Sequence, residues 1–197
     1  MTAAQSRREI KKAKARLLIE EIALRAFLSR GFNNVTLDEI AEAAEVHKRT
    51  LLRYFPTKTD LVLCRYYDSL REFKLRIESR EAGVSAVGVW KNHVVDKARQ
   101  ITTPEQIRLR EMIYTDEALQ SALLSIQAEY QATLTRELLD EGSSGSGNIV
   151  RAHVIAAALV GANFSIARST ILAKDTGIVE KRVLEVVDFI VASFNTS

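Results

Sequence analysis

Apolar residues return at three- and four-residue intervals along most of this chain, and no stretch alternates cleanly enough to predict a strand. Leu18, Ile19, Ile22, Ala23, Ala26 and Phe27 form one stripe, predicting a helix over about 8–30 after a frayed end at 1–7. Gly31 follows directly and suits a helix stop, since it accepts a left-handed backbone without penalty. Thr36-Leu37-Asp38-Glu39 reads as a capping box: the hydroxyl accepts from an orphan amide while the glutamate reaches back to the cap. It opens a short helix over about 37–44 that buries Leu37, Ile40, Ala41 and Ala44. A second short helix, about 47–54, follows almost without a spacer, with Leu51, Leu52 and Phe55 on its apolar side and Pro56 at its end.

Thr57 can cap a long helix over about 58–80, with Leu61, Cys64, Tyr67, Leu70, Lys74 and Ile77 in its pattern. Gly83 and Gly88 loosen the next stretch before a helix around 90–100. Thr103-Pro104-Glu105 opens another with proline at its first position, and a long helix follows over about 115–141. GSSGSG, 142–147, reads as a flexible linker. The last two helices, about 148–173 and 178–194 with a break at Asp175–Gly177, are apolar almost all round. Such helices must be covered all round, and a second copy of the pair is the simplest cover, which predicts a two-fold four-helix interface.

Composition agrees with an all-α class: 47% of residues are apolar, and two prolines and eight glycines are all that interrupt 197 residues. The one cysteine, Cys64, excludes an internal disulfide, fits a reducing compartment and falls in a core register. The N-terminus has no apolar signal core. The longest unbroken apolar run, Val154–Ala162, is short of the ~20 residues of a membrane span. The expectation is a soluble, cytoplasmic protein with no membrane partner. Charge is uneven. Residues 1–60 hold 12 Lys/Arg against 8 Asp/Glu, and the remainder holds 16 against 17. All of the positive excess therefore lies in the N-terminal third, as in proteins that meet a polyanion there.

The two short helices supply a surface for it. A capped helix, a tight turn and a second short helix form a helix-turn-helix, whose second member can lie in a DNA major groove. On a helical wheel Arg49, Thr50 and Arg53 lie opposite Leu51, Leu52 and Phe55, with Tyr54 on the flank and Lys48 in the open first turn. Arginine can bind guanine bidentately, and lysine and tyrosine reach phosphates. Upstream, SRREIKKAKAR (6–16) has six basic residues and one acidic, so Arg7, Arg8, Lys11 and Lys12 are candidate phosphate contacts.

With these residues in place, GFNNVTLDEIAEAAEVHKRTLLRYFPTKTDL resembles the DNA-binding domain of the TetR family of bacterial transcriptional regulators, over about residues 14–62. The resemblance implies a three-helix DNA-binding domain at 1–57, followed by a helical ligand-binding and dimerisation domain at 58–197. It further implies a homodimer on a palindromic double-stranded operator, in most relatives as a repressor. By position, Thr36, Tyr54 and Lys58 correspond to phosphate contacts, and Lys48, Arg49 and Arg53 to residues that read bases or nearby phosphates. Three positions depart from the family pattern. Glu45 replaces the turn glycine, at a cost on the order of 1 kcal/mol if its backbone is left-handed. His47 replaces the capping serine, although its imidazole can donate to a phosphate. Leu52 stands where many relatives carry an aromatic phosphate contact.

The run RLREMIYTDEALQSALL (108–124) is similar to actinobacterial-type members, some associated with acyl-thioester-like ligands, which implies a hydrophobic or acyl-like effector. Polar and aromatic residues set in apolar helices are the pocket candidates: Trp90, His93, Met112, Tyr114, Gln127, Tyr130, Asn163 and Phe164. Asn163 has a second reading, as a polar specifier of the dimer seam. The rival classes are an all-helical enzyme and an adaptor. No metal-ligand spacing, glycine-rich phosphate loop or nucleophile motif supports the enzyme, so no catalytic residue, metal or cofactor is expected. An adaptor leaves the basic helix face unexplained.

Overall fold

The computed structural model describes residues 3–142 and 146–195, with side chains described for 9–142 and 147–194. Helices account for all the regular structure among them, and they fall into two compact units, Met1–Arg65 and Tyr66–Ser197.

In the first unit, α1 (Ala3–Arg30) precedes α2 (Leu37–Ala43), α3 (Lys48–Tyr54) and α4 (Lys58–Val62). The arm expected to fray is helical from Ala3 onward. Ile19, Ala23 and Phe27 of α1, Ile40 and Ala41 of α2 and Leu51 of α3 are all buried, with α2 packed on both α1 and α3, while Leu18 at the stripe's edge stays 47% exposed. Gly31 ends α1 at φ +84°, and its amide donates to the Phe27 carbonyl at 2.8 Å. The Thr36–Glu39 capping box forms in both directions, and Thr57 and Asp60 make a second one on α4. The single helix expected over 58–80 is two, because the chain breaks at Leu63 before α5 (Cys64–Glu78). Four consecutive residues, Leu61 to Cys64, are buried there, which one uninterrupted helical face could not achieve.

The second unit continues with α6 (Ala86–Arg99), α7 (Pro104–Thr115), α8 (Glu117–Glu141), α9 (Ser146–Leu172), a 3-10 turn (Thr176–Ile178) and α10 (Val179–Asn195). Gly88 lies inside α6: Ser85 caps that helix by accepting from the Gly88 amide, so the helix starts earlier than its first aromatic residue suggests. Thr103 and Asp116 cap α7 and α8. Of the expected linker, 143–145 lie outside the described residues, and Ser146 and Gly147 already belong to α9. α9 packs between α8 and α10, burying Ala152, Ala156, Leu159 and Val160. Its other side is bare, with Val150 65% and Val154 45% exposed, as is Phe189 of α10 at 74%. Gly147–Leu172 is long and apolar enough to cross a membrane by length and mean hydropathy, a possibility that a count of unbroken apolar runs had missed. Its inner face is committed to protein packing, and one such helix is weak evidence of a span.

Candidate functional site

The first unit brings its basic residues to one surface. α3 is held from beneath by Leu51 and Phe55, which are 0% and 2% exposed. Leu52, expected on that apolar side, instead lies at the surface, 36% exposed. In a helix of only two turns, the neighbouring residue already rotates out of the buried arc. Arg49, Arg53, Lys48 and His47 are exposed, and Thr50 and Tyr54 are half-buried. Arg53 stacks its guanidinium over the Tyr54 ring at 5.4 Å, which limits the freedom of both side chains. Lys48 Nζ donates to Asp38 at 2.7 Å, tying the start of α3 to α2. His47 occupies the N-cap position but makes no side-chain cap bond, as its replacement of serine implies.

The turn between α2 and α3 carries strain. Glu45 has φ +52°, the left-handed conformation in which a side chain costs about 1–2 kcal/mol. Its amide donates to Glu42, and the next amide to Ala41, so the turn's hydrogen bonds hold the backbone there. Thr36 is exposed at the start of α2, its hydroxyl and amide both directed to Glu39. The Thr36 amide, followed by Arg30 at 2.6 Å, pulls the Glu39 carboxyl down to about 2. Lys58 differs from the other candidates. Its ammonium lies 4.3 Å above the Phe32 ring and donates to the Phe32 and Val35 carbonyls at 2.9 and 3.1 Å. It clamps the turn before α2 and keeps one N–H for an outside acceptor. Along α1, Lys11 and Lys12 are exposed and Lys12 pairs with Glu9. The side chains of Arg7 and Arg8 lie outside the described residues.

The second unit contains a cavity of about 110 Å³. Six of the eight pocket candidates line it: Trp90, His93, Tyr114, Tyr130, Asn163 and Phe164. Met112 and Gln127 do not line it. Tyr66, Ser69, Lys97 and Arg110 complete its polar wall, and sequence reasoning missed them because each sits in a stretch whose register is otherwise ordinary for a packed helix.

The rings of Trp90, His93 and Tyr130, which line the cavity, each lie 5.3–5.4 Å from the ring of Phe73, which does not. Asn163 lies on the inner face of α9, 4% exposed, so it is not a residue of the bare outer side. It accepts from the Trp90 indole at 2.9 Å and donates to the Val183 carbonyl at 3.0 Å, joining α6, α9 and α10. His93 Nε2 meets Ser69 Oγ at 3.1 Å and the Tyr130 hydroxyl at 3.3 Å, and Tyr130 donates to Ser69 at 2.9 Å. Burial, with the Lys97 charge adding to it, depresses His93 to about 4, so the ring is neutral near pH 7. Burial raises Tyr130 and Tyr114, while the charges of Arg110 and Arg168 oppose the shift at Tyr114. Among the described residues no group of His, Cys, Asp and Glu could hold a metal ion.

The family model described as "Bacterial regulatory proteins, tetR family" matches residues 19–63, from within α1 to the end of α4. The chain is similar to the HTH-type transcriptional regulator TcmR of Streptomyces glaucescens, 36% identical over 76 residues, 39% of this chain and 33% of that protein. MftR of Mycobacterium tuberculosis aligns over 40 residues at 42% identity, 20% of either protein. The aligned stretches thus span a third or less of these curated relatives. Solved structures extend the likeness of fold to nearly the whole chain. SmeT, the repressor of the Stenotrophomonas maltophilia multidrug efflux pump SmeDEF, superposes with a TM-score of 0.65 at 14% identity over 90% of this chain and 89% of that one. SmeT in complex with triclosan gives 0.68 at 13% identity, covering 91% of each chain.

Proposed function

We propose that this chain, whose residues 19–63 match the model of bacterial tetR-family regulatory proteins, is a ligand-responsive transcriptional repressor that binds a palindromic operator as a homodimer. The observation that carries this reading is α3: a seven-residue helix anchored by Leu51 with Phe55 just beyond it, and presenting Lys48, Arg49 and Arg53 to solvent directly after a capped α2. The arginines suit guanine edges and phosphates, while Tyr54, Thr36 and Lys58 suit the flanking backbone. Lys11 and Lys12, with Arg7 and Arg8 as the sequence suggests, add phosphate contacts from α1.

Two copies supply two reading helices, and the bare side of α9 and α10 supports the pairing. Val150, Val154 and Phe189 are exposed on helices whose opposite sides are buried, an arrangement that a self-complementary contact covers. The effector site in this reading is the cavity framed by Trp90, His93, Tyr130 and Asn163. α5 carries Tyr66 and Ser69 of the cavity wall and is continuous with Cys64 and Arg65 of the first unit, so a shift of α5 on ligand binding is transmitted through the backbone. One population sets the reading helices about 34–36 Å apart, or a multiple of that, and ligand favours another spacing. Effector and operator affinities are then reciprocally coupled.

The test is selection of bound sites from random duplex DNA at fixed salt. A recovered palindrome with half-sites about one turn apart supports the reading. Recovery of no preferred sequence by folded protein free of effector would overturn it.

A further inference from the structure

We propose that the cavity of the second unit takes a small aromatic acid, with one ring among its aromatic walls and a carboxylate held by Arg110. This rests on the effector-site reading above and narrows it to a chemical class. The first argument is charge. Lys97 and Arg110 are the charged side chains lining the cavity, and both are cationic. Lys97 is neutralised by Glu72, which also pairs with Arg76, itself bonded to Asp96, so that network balances two cations with two anions. Arg110 is different. Half-buried on α7, its guanidinium donates to the Gln106 carbonyl at 3.2 Å and has no carboxylate partner among the described residues. A planar fork of donors with unspent charge on a cavity wall is matched by a carboxylate, which accepts two of its N–H groups at once.

The second argument is size and shape. A cavity of about 150 Å³ admits benzene, and the 110 Å³ found here is of that scale. A long acyl chain does not fit the space as it stands. Trp90, Tyr130 and Phe164 surround it with ring faces and edges, which favour an aromatic guest over a compact aliphatic one.

Trp90 is the one tryptophan of the chain, so intrinsic fluorescence of the full-length protein reports on this cavity without a label. Benzoate, benzamide and benzylammonium are close in shape and carry a negative, neutral and positive head. We expect benzoate to bind at least about tenfold more tightly than benzamide, with benzylammonium weakest, as a charge-assisted contact requires. Arg110→Gln, checked for an unchanged thermal melt, is expected to bring benzoate within about threefold of benzamide while leaving the affinity for benzamide in place. Equal binding of benzoate and benzamide overturns the proposal. So does a preference that survives Arg110→Gln, and so does the absence of any saturable benzoate response in the millimolar range. Operator retention is measured in parallel. An Arg110-dependent benzoate preference that leaves DNA binding untouched supports the acid site and counts against the regulatory switch alone.

Discussion

Removing the amide of Asn163 should unfasten three helices at once. Its Oδ1 accepts from the Trp90 indole at 2.9 Å and its Nδ2 donates to the Val183 carbonyl at 3.0 Å, all within the buried interior. In Asn163→Ala the two lost bonds are not equal. Among the described residues Asn163 is the acceptor of the indole N–H, and an orphaned buried donor costs about 1–3 kcal/mol. The Val183 carbonyl lies inside α10 and keeps its helical partner four residues on, so its loss is the smaller one of about 0.5–1.5 kcal/mol. The expected destabilisation is about 2–4 kcal/mol, measured by urea denaturation followed by circular dichroism. An unchanged denaturant slope would confirm that stability, and not the denatured state, has moved. Trp90→Phe provides the control, because it removes the donor that would be orphaned. Combined in a double-mutant cycle, the two substitutions should show a coupling of about 1–2 kcal/mol. A single-variant cost below about 0.5 kcal/mol, or no coupling, would refute the reasoning.

Four further outcomes follow from the same geometry. Glu45→Gly relieves about 1–2 kcal/mol of left-handed strain and returns about 0.4–1 kcal/mol of unfolded-state entropy, so the urea midpoint should rise by the equivalent of about 0.5–1 kcal/mol. His93, depressed to about 4 by burial, binds its proton in the unfolded chain before the folded one does. Stability should therefore fall by up to about 3 kcal/mol as pH drops from 6.5 to 4 and level off below, and His93→Gln should remove that part of the profile. Phe189→Arg, at a 74% exposed position, should leave the monomer's melt within about 0.5 kcal/mol yet shift sedimentation from dimer to monomer. Arg53→Ala should cost about 1–3 kcal/mol of binding at one operator position if the side chain reads a base, whereas a phosphate contact would weaken all sequences alike and flatten the salt slope by about 0.9.

Where one residue type at one spacing has a single physical use, the fold could be read directly. Thr36 with Glu39, Thr103 before Pro104, and Gly31 after the first stripe each became a cap or stop at the expected place. The reading failed where a local break produces no special residue. Leu63 interrupts the helix after Val62 with no glycine or proline to mark it, because the break is imposed by burying Leu61 through Cys64 together. Leu52 failed for a related reason. Hydrophobicity marks a residue as able to be buried, but α3 is too short and too shallow to bury more than Leu51 and the Phe55 that follows it.

The cavity divides its residues in the same way. Trp90 and Asn163 were legible because a large ring and an amide in apolar helices need partners, and here they partner each other. Met112 and Gln127 carry the same local signature but are half-buried away from the cavity, since one sequence cannot say which side of α7 or α8 faces inward. Arg110 was invisible for the opposite reason: an arginine two residues from another on a polar helix reads as solvated surface. Its meaning depends on what does not pair with it, and only the three-dimensional arrangement shows that Lys97 has Glu72 while Arg110 has no carboxylate partner among the described residues. The charge that would choose an effector is therefore the least legible feature of the site, and the Arg110→Gln titration is the measurement that bears on it most directly.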